Sequence, residues 1–259
     1  DNRVLVFEVA TGRLLRTIYS QQFPDWSEGH SLVFTADSSA VTVEEFTVEK
    51  RGWLRLVDVA TGNDRGWFPL GKDFVMGVSI SPDGRWLAAN GGFSQSHLRV
   101  WDLESGSVVP TPEVSSIAVR FDPTGQRLLV GLDVLKVPEF TLERHLEGHE
   151  ASFNTAVVAP DGRTYLSSGG NDFLLSWDLD SPSRLRSGKT LDLPVQNLTW
   201  LPADRGVFIV ATNGTCHEVL GPDFASRLLP LLGNDARTCA LLERAGQIAV
   251  GREDGRITL

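Results

Sequence analysis

Residues 148–180 read GHEASFNTAVVAPDGRTYLSSGGNDFLLSWDLD and hold His149, Ser167 and Asp172, with Trp177 close behind. A serine, a histidine and an aspartate are the parts of a hydrolytic triad. There the imidazole takes the hydroxyl proton, the carboxylate orients the imidazole, and backbone amides receive the oxyanion. That chemistry needs the serine on a sharp, exposed turn beside an oxyanion hole. No Gly-x-Ser-x-Gly elbow surrounds Ser167, and no strand-to-helix turn can form one. Other chemical signals are weaker. RSGKT (186–190) ends like a phosphate-binding loop, but Ser183 stands where its first glycine belongs and no helix follows. A basic turn in an outer strand explains it better. Glu44-Glu45 and Glu253-Asp254 could bind a metal, yet their expected place is in strand-connecting loops as solvated charge.

The elements that must position these residues are repeats. VLVFEVATG (4–12), LRLVDVATG (54–62), LRVWDLESG (98–106) and LLSWDLDSP (174–182) are variants of one phrase: alternating apolar residues, an acidic residue, then a turn. Between them runs a second phrase, as in VSISPDGRWLAA (78–89) and VVAPDGRTYLSS (157–168). It reads strand, turn, strand. Proline presets φ for the turn and glycine accepts positive φ. The turns start at Thr35, Ser81, Asp122, Ala159, Leu201 and Glu243; the strand-end anchors are Phe7, Val57, Trp101, Val137, Trp177 and Val219. Both sets recur with a period of about 42 residues, and no segment shows helical periodicity. Four short strands per period make a β-propeller blade, which buries both faces only when stacked on neighbours.

Gly148-His149, Pro160-Asp161-Gly162, the turn Asn171-Asp172 and Trp177-Asp178 together resemble the WD40 repeat, and Trp101-Asp102 repeats its closing dipeptide. Phe7-Glu8, Val57-Asp58 and Val137-Pro138 are degenerate versions. The resemblance implies an all-β, WD40-like β-propeller: most of a seven-bladed ring with incomplete blades at both ends. One domain, 1–259, would hold a partial blade at 1–18, full blades at about 30–70, 75–111, 115–147, 150–191 and 195–232, and a partial blade at 237–259. It also implies a structural role for His149, Ser167, Asp172 and Trp177. In that tetrad the indole N–H donates to the hydroxyl, the hydroxyl bonds the imidazole, and the imidazole bonds the carboxylate. Gly29-His30 lies too close to its turn to serve in the same way.

Composition narrows the function classes. The 259 residues are 41% hydrophobic and 22% charged, with net charge −9. An acidic chain of pI about 5.1 argues against a nucleic-acid or anionic-membrane partner, which needs a basic face. Two cysteines, Cys216 and Cys239, make neither a disulfide framework nor a zinc site, so a reducing compartment, the cytoplasm, is expected and both thiols read as small buried apolar groups. Trp86 and Trp200 read as core. No apolar run approaches ~18 residues and no signal peptide is visible. The start at Asp1 suggests a fragment or a processed chain, and the sequons Asn197-Leu-Thr199 and Asn213-Gly-Thr215 matter only in a secreted protein.

What remains is a non-catalytic, monomeric platform without cofactor, binding a protein or peptide through its rim loops. Candidate anchors are Phe23, Trp26, Phe46, Arg51, Phe74, Phe93 and Phe153, because aromatics and arginine dominate interface energetics. The alternative is a propeller enzyme, or a sugar- or metal-binding propeller, with its site in the central channel; three or more convergent carboxylates or histidines there would mark it.

Overall fold

The computed structural model describes residues 3–8, 10–19, 32–46, 52–71, 75–91, 97–114, 116, 118–149, 153–169, 173–181, 185–190, 194–201, 206–220, 225–229, 233–242, 247–252 and 256–258. Two compact units, Asp1–Glu143 and Arg144–Leu259, are taken in turn. Among the described residues every strand pair is antiparallel, within each sheet consecutive strands pair in sequence order, and no helix is present.

The first unit opens with a two-stranded sheet, β1 (Arg3–Phe7) and β2 (Leu14–Tyr19). A three-stranded sheet follows, β3 (Ala40–Phe46), β4 (Gly52–Asp58) and β5 (Asp64–Gly71), with Phe34 bridging Val41 on the outer edge of β3. Two four-stranded sheets complete it: β6 (Val75–Ile80), β7 (Trp86–Gly91), β8 (His97–Asp102), β9 (Val108–Val109), and β10 (Val119–Phe121), β11 (Arg127–Val130), β12 (Asp133–Lys136), β13 (Thr141–His145). The second unit holds β14 (Phe153–Val158), β15 (Thr164–Gly169), β16 (Phe173–Asp178), β17 (Leu185–Thr190), then β18 (Val195–Trp200), β19 (Gly206–Ala211), β20 (Cys216–Leu220), β21 (Ala225–Leu228), and last β22 (Ala236–Leu242), β23 (Gln247–Arg252), β24 (Ile257–Thr258).

Strand alternation explains how the sheets stack. In β3 and β4, Val41, Val43 and Val57 point toward the first sheet, where they pack with Val6 and Ile18. Ala40, Leu54 and Leu56 point the opposite way and pack with Val75, Val78, Leu87 and Trp101 of the next sheet. A sheet used on both faces needs apolar residues on both, which is why these strands read as nearly continuous hydrophobic runs. The same interleaving joins β6–β9 to β10–β13, β14–β17 to β18–β21, and β18–β21 to β22–β24.

In sheets β6–β9 and β14–β17 the turn between the first two strands is built by its aspartate. Asp83 accepts the Arg85 amide and the Ser81 hydroxyl; Asp161 accepts the amides of Arg163 and Thr164. Gly84, Gly125 and Gly162 take φ near +70° there, and Ser38 adopts the same left-handed conformation in the Asp37 turn. A second device recurs at the start of the first strand in four of the sheets. Registers slip at Val75/Gly77, Phe153/Thr155, Val195/Asn197 and Ala236/Thr238, a bulge that bends each strand where it enters the sheet.

Two expectations change. In four sheets the anchors Val57, Trp101, Trp177 and Val219 face Val41, Leu87, Tyr165 and Val207. The matching residue in the fourth sheet is Leu135, opposite Leu128, and not Val137, which lies in the turn after β12. A shorter β11–β12 connection moves the anchor two residues earlier. Glu44 and Glu45 are not loop residues: both sit in β3, each about 4% exposed. Strand β3 runs further than its polar sequence suggests, because the paired strand β4 extends to Gly52 opposite Phe46.

Candidate functional site

Strand β15 brings Ser167 under the segment that precedes β14. His149 Nε2 lies 2.6 Å from Ser167 Oγ. Trp177, opposite Tyr165 in the ladder, closes the group: its ring centroid is 5.6 Å from that of His149 and 5.8 Å from that of Tyr165. Ser167, Tyr165 and Trp177 are fully buried. Burial holds the His149 imidazole below its ordinary pKa, which favours the neutral form.

The wiring differs from the expected tetrad. The Trp177 indole N–H donates to the Glu147 carbonyl, at a long 3.4 Å, rather than to Ser167. The hydroxyl is already engaged by the imidazole. Asp172 lies outside the described residues. A serine and a neutral histidine at hydrogen-bond distance have the parts for nucleophile activation, but Ser167 Oγ sits in the middle of a central strand, between Ala156 and Leu175. The Ser167–His149 hydrogen bond joins strand β15 to the segment before β14.

The position of Ser167 in the other sheets is Val43, Ala89, Val130 and Ile209 by register. Sheet β6–β9 therefore keeps the closing tryptophan without the hydroxyl, and the buried Trp101 Nε1 has no hydrogen-bond partner among the described residues. Phe68 of the preceding sheet stacks edge-on against Trp101 at 5.7 Å instead. The acidic half of the dipeptide is steadier. Asp102 accepts the amides of Glu104 and Ser105 and the Arg85 guanidinium, and Asp58 accepts the Thr61 amide and Arg65. Both carboxyls are held below the usual carboxylate range, Asp58 mainly by Arg65 and Asp102 mainly by the Ser105 amide.

Of the rim candidates, Phe46 closes β3 and Phe153 opens β14, so both belong to strands rather than loops. Phe23, Trp26, Arg51, Phe74 and Phe93 lie outside the described residues, as do His30 and Glu253-Asp254. Cys216 and Cys239 are buried thiols in the cluster with Phe208 and Val210, and Trp86 and Trp200 pack against the cores of their sheets. An exposed aromatic group was not anticipated. Trp67 is 46% exposed, Arg55 lies 5.0 Å over its ring, and the same guanidinium donates to the Tyr19 carbonyl of the first sheet. Its signal was alternation: Asp64-Arg65-Gly66-Trp67-Phe68 sends Phe68 inward and Trp67 outward. Among the described residues no three His, Cys, Asp or Glu side chains gather as a metal site, and no helix is long and apolar enough to cross a membrane.

A family model described as "WD domain, G-beta repeat" matches residues 68–102. The chain is 26% identical over 128 residues to "Protein groucho" of Drosophila melanogaster, covering 44% of this chain and 17% of that protein. It is 24% identical over 204 residues to "Set1 complex component swd2" of Schizosaccharomyces pombe, covering 71% of this chain and 53% of that protein. The chain thus spans about half the length of the second relative and less of the first. The matched repeat, these relatives and a succession of short antiparallel four-stranded sheets, two of which end their third strand on Trp-Asp, make the chain similar to proteins of the WD40-repeat family.

Proposed function

We propose that this chain is a non-catalytic propeller module that binds a protein or peptide through the loops at one end of its sheets. The observation that carries the reading is the similarity, over 71% of the chain, to a protein named as a component of a complex. The burial of Ser167, whose hydroxyl is engaged by the half-buried His149, supports it. In sheet β6–β9, Val75 pairs with Gly91 and Gly91 with His97. Segments 72–74 and 92–96 therefore leave the sheet at the same end, carrying Phe74 and Phe93. Segments 20–31 and 47–51 carry Phe23, Trp26 and Arg51. Rigid sheets below and aromatic side chains in the connections are the usual build of a recognition surface.

The test is the double substitution Trp26→Ala, Phe93→Ala. Partner capture on the immobilised chain, read by quantitative mass spectrometry, is expected to fall while the melting temperature stays within error of wild type. Unchanged capture with a large drop in melting temperature would show both rings to be core, and the loop surface would be wrong.

A further inference from the structure

Polar side chains recur at one place where two sheets stack. One residue beyond the Ser167 position, strands β3, β7 and β15 carry Glu44, Asn90 and Ser168. The first two reach the backbone of the following sheet. Glu44 Oε1 accepts the Val75 N–H at 2.7 Å, and Asn90 Nδ2 donates to the Ser116 carbonyl ahead of β10. Val75 and Ser116 hold the same place in their sheets. Each stands three residues before the residue that pairs with the Ser167 position, Val78 with Ala89 and Val119 with Val130. In sheet β18–β21 Leu198 pairs with Ile209, so the corresponding residue is Val195.

Ser168 faces that residue across the junction of β14–β17 with β18–β21. It lies opposite Leu174 in the ladder, on the side where Leu166 and Leu174 pack with Val195 and Leu198. Its side chain is 0% exposed, and its Oγ has no hydrogen-bond partner among the described residues. Glutamate ends on the third atom beyond Cβ, but serine ends on the first. A second hydroxyl stands beside it, because Thr155, also buried, is paired directly with Ser168 and therefore lies on the same face. A buried hydroxyl without a partner is costly, and a water needs a small space with two to four polar groups around it.

We infer that this junction holds one buried water, bound by Ser168 Oγ and Thr155 Oγ1 on one side and by the Val195 backbone on the other. It does through a water what Glu44 and Asn90 do directly. The ligand is neutral: the surrounding wall is Leu166, Leu174, Val195 and Leu198, and an ion there would be stripped of its hydration without a counter-charge.

Two substitutions read the site in solution through the urea unfolding midpoint. Ser168→Ala removes a partner of the water and is expected to lower the midpoint. Were the hydroxyl an orphan, its removal would leave the midpoint unchanged or raise it, and either result overturns the proposal. Ser168→Asn, which supplies an amide like that of Asn90, is expected to lie above Ser168→Ala. A crystal structure of the wild-type chain decides the matter directly, whether or not the variants fold. The expected result is one ordered water within hydrogen-bond distance of Ser168 Oγ and the Val195 backbone. A direct bond from Ser168 Oγ to a protein group, or a hydroxyl packed only against carbon, removes the site.

Discussion

Sheets β6–β9 and β14–β17 end their third strand on the same dipeptide, Trp101-Asp102 and Trp177-Asp178, and hold it by different means. Trp177 sits among His149, Tyr165 and Ser167, and its N–H reaches a carbonyl. Trp101 is equally buried but leans on Phe68 from the neighbouring sheet and leaves its N–H unpaired. The family model nonetheless matches 68–102, the sheet without the polar network. The difference teaches that the repeat is recognised by its strand alternation, its Pro-Asp-Gly turn and its closing dipeptide. Among the described residues, the hydrogen-bonded cluster is an addition in sheet β14–β17. Physical cost agrees with this: a half-satisfied buried network is worse than an apolar one. Where Ala89 replaces the serine, packing against Phe68 takes over.

The comparison can be broken by truncating both tryptophans. Trp101→Ala and Trp177→Ala should each cost about 3–5 kcal/mol, because each leaves a large cavity in a closed core. Urea unfolding measures this. A cost near zero at either site would show that its sheet can collapse around the loss.

The next effect sharpens it. Trp101→Phe removes an unsatisfied donor, whereas Trp177→Phe removes a bonded one, so Trp101→Phe should be milder by about 1 kcal/mol. Equal costs would mean that the Trp177 to Glu147 bond contributes nothing. A double-mutant cycle on Ser167→Ala and His149→Phe should give a coupling of about 0.5–1.5 kcal/mol. Asp172→Ala should cost roughly 1–3 kcal/mol if the carboxylate completes the cluster. Additivity of Asp172→Ala with His149→Phe would separate Asp172 from it.

Acid should also distinguish the two units. Burial depresses the His149 pKa below 6.5, so its contribution is full above that value and is lost as pH falls through the folded pKa. Glu44 acts with the opposite sign, since the penalty for its burial disappears as pH falls from 7 toward 4.5. Melting temperatures at pH 7.5 and pH 5 should fall less for His149→Gln than for the wild type. The smallest effect belongs to Arg85→Ala. It removes a half-exposed ion pair to Asp102 and should leave the unfolding midpoint unresolved from wild type, because solvent screens such pairs.

The sequence by itself determined the repeat, its period, the all-β class and the turns. Alternation and Pro-Asp-Gly are local signals, written in consecutive residues. The pairing of His149 with Ser167 was implied by the resemblance to the WD40 repeat and not by the period. Only the tertiary structure decided where polar residues go when two sheets meet. Glu44 and Glu45 read as solvated loop charge, yet pairing with β4 carries them into a strand, one facing the Val75 amide and the other facing Arg55. Val137 read as an anchor because its neighbours resemble the phrase, while a shortened turn gives that place to Leu135. The Trp177 N–H finds Glu147, thirty residues away in sequence, because the chain before β14 folds back over the end of the sheet. Each miss has one cause. Strand pairing and burial are set by residues distant in the chain, and no window of consecutive residues contains both partners.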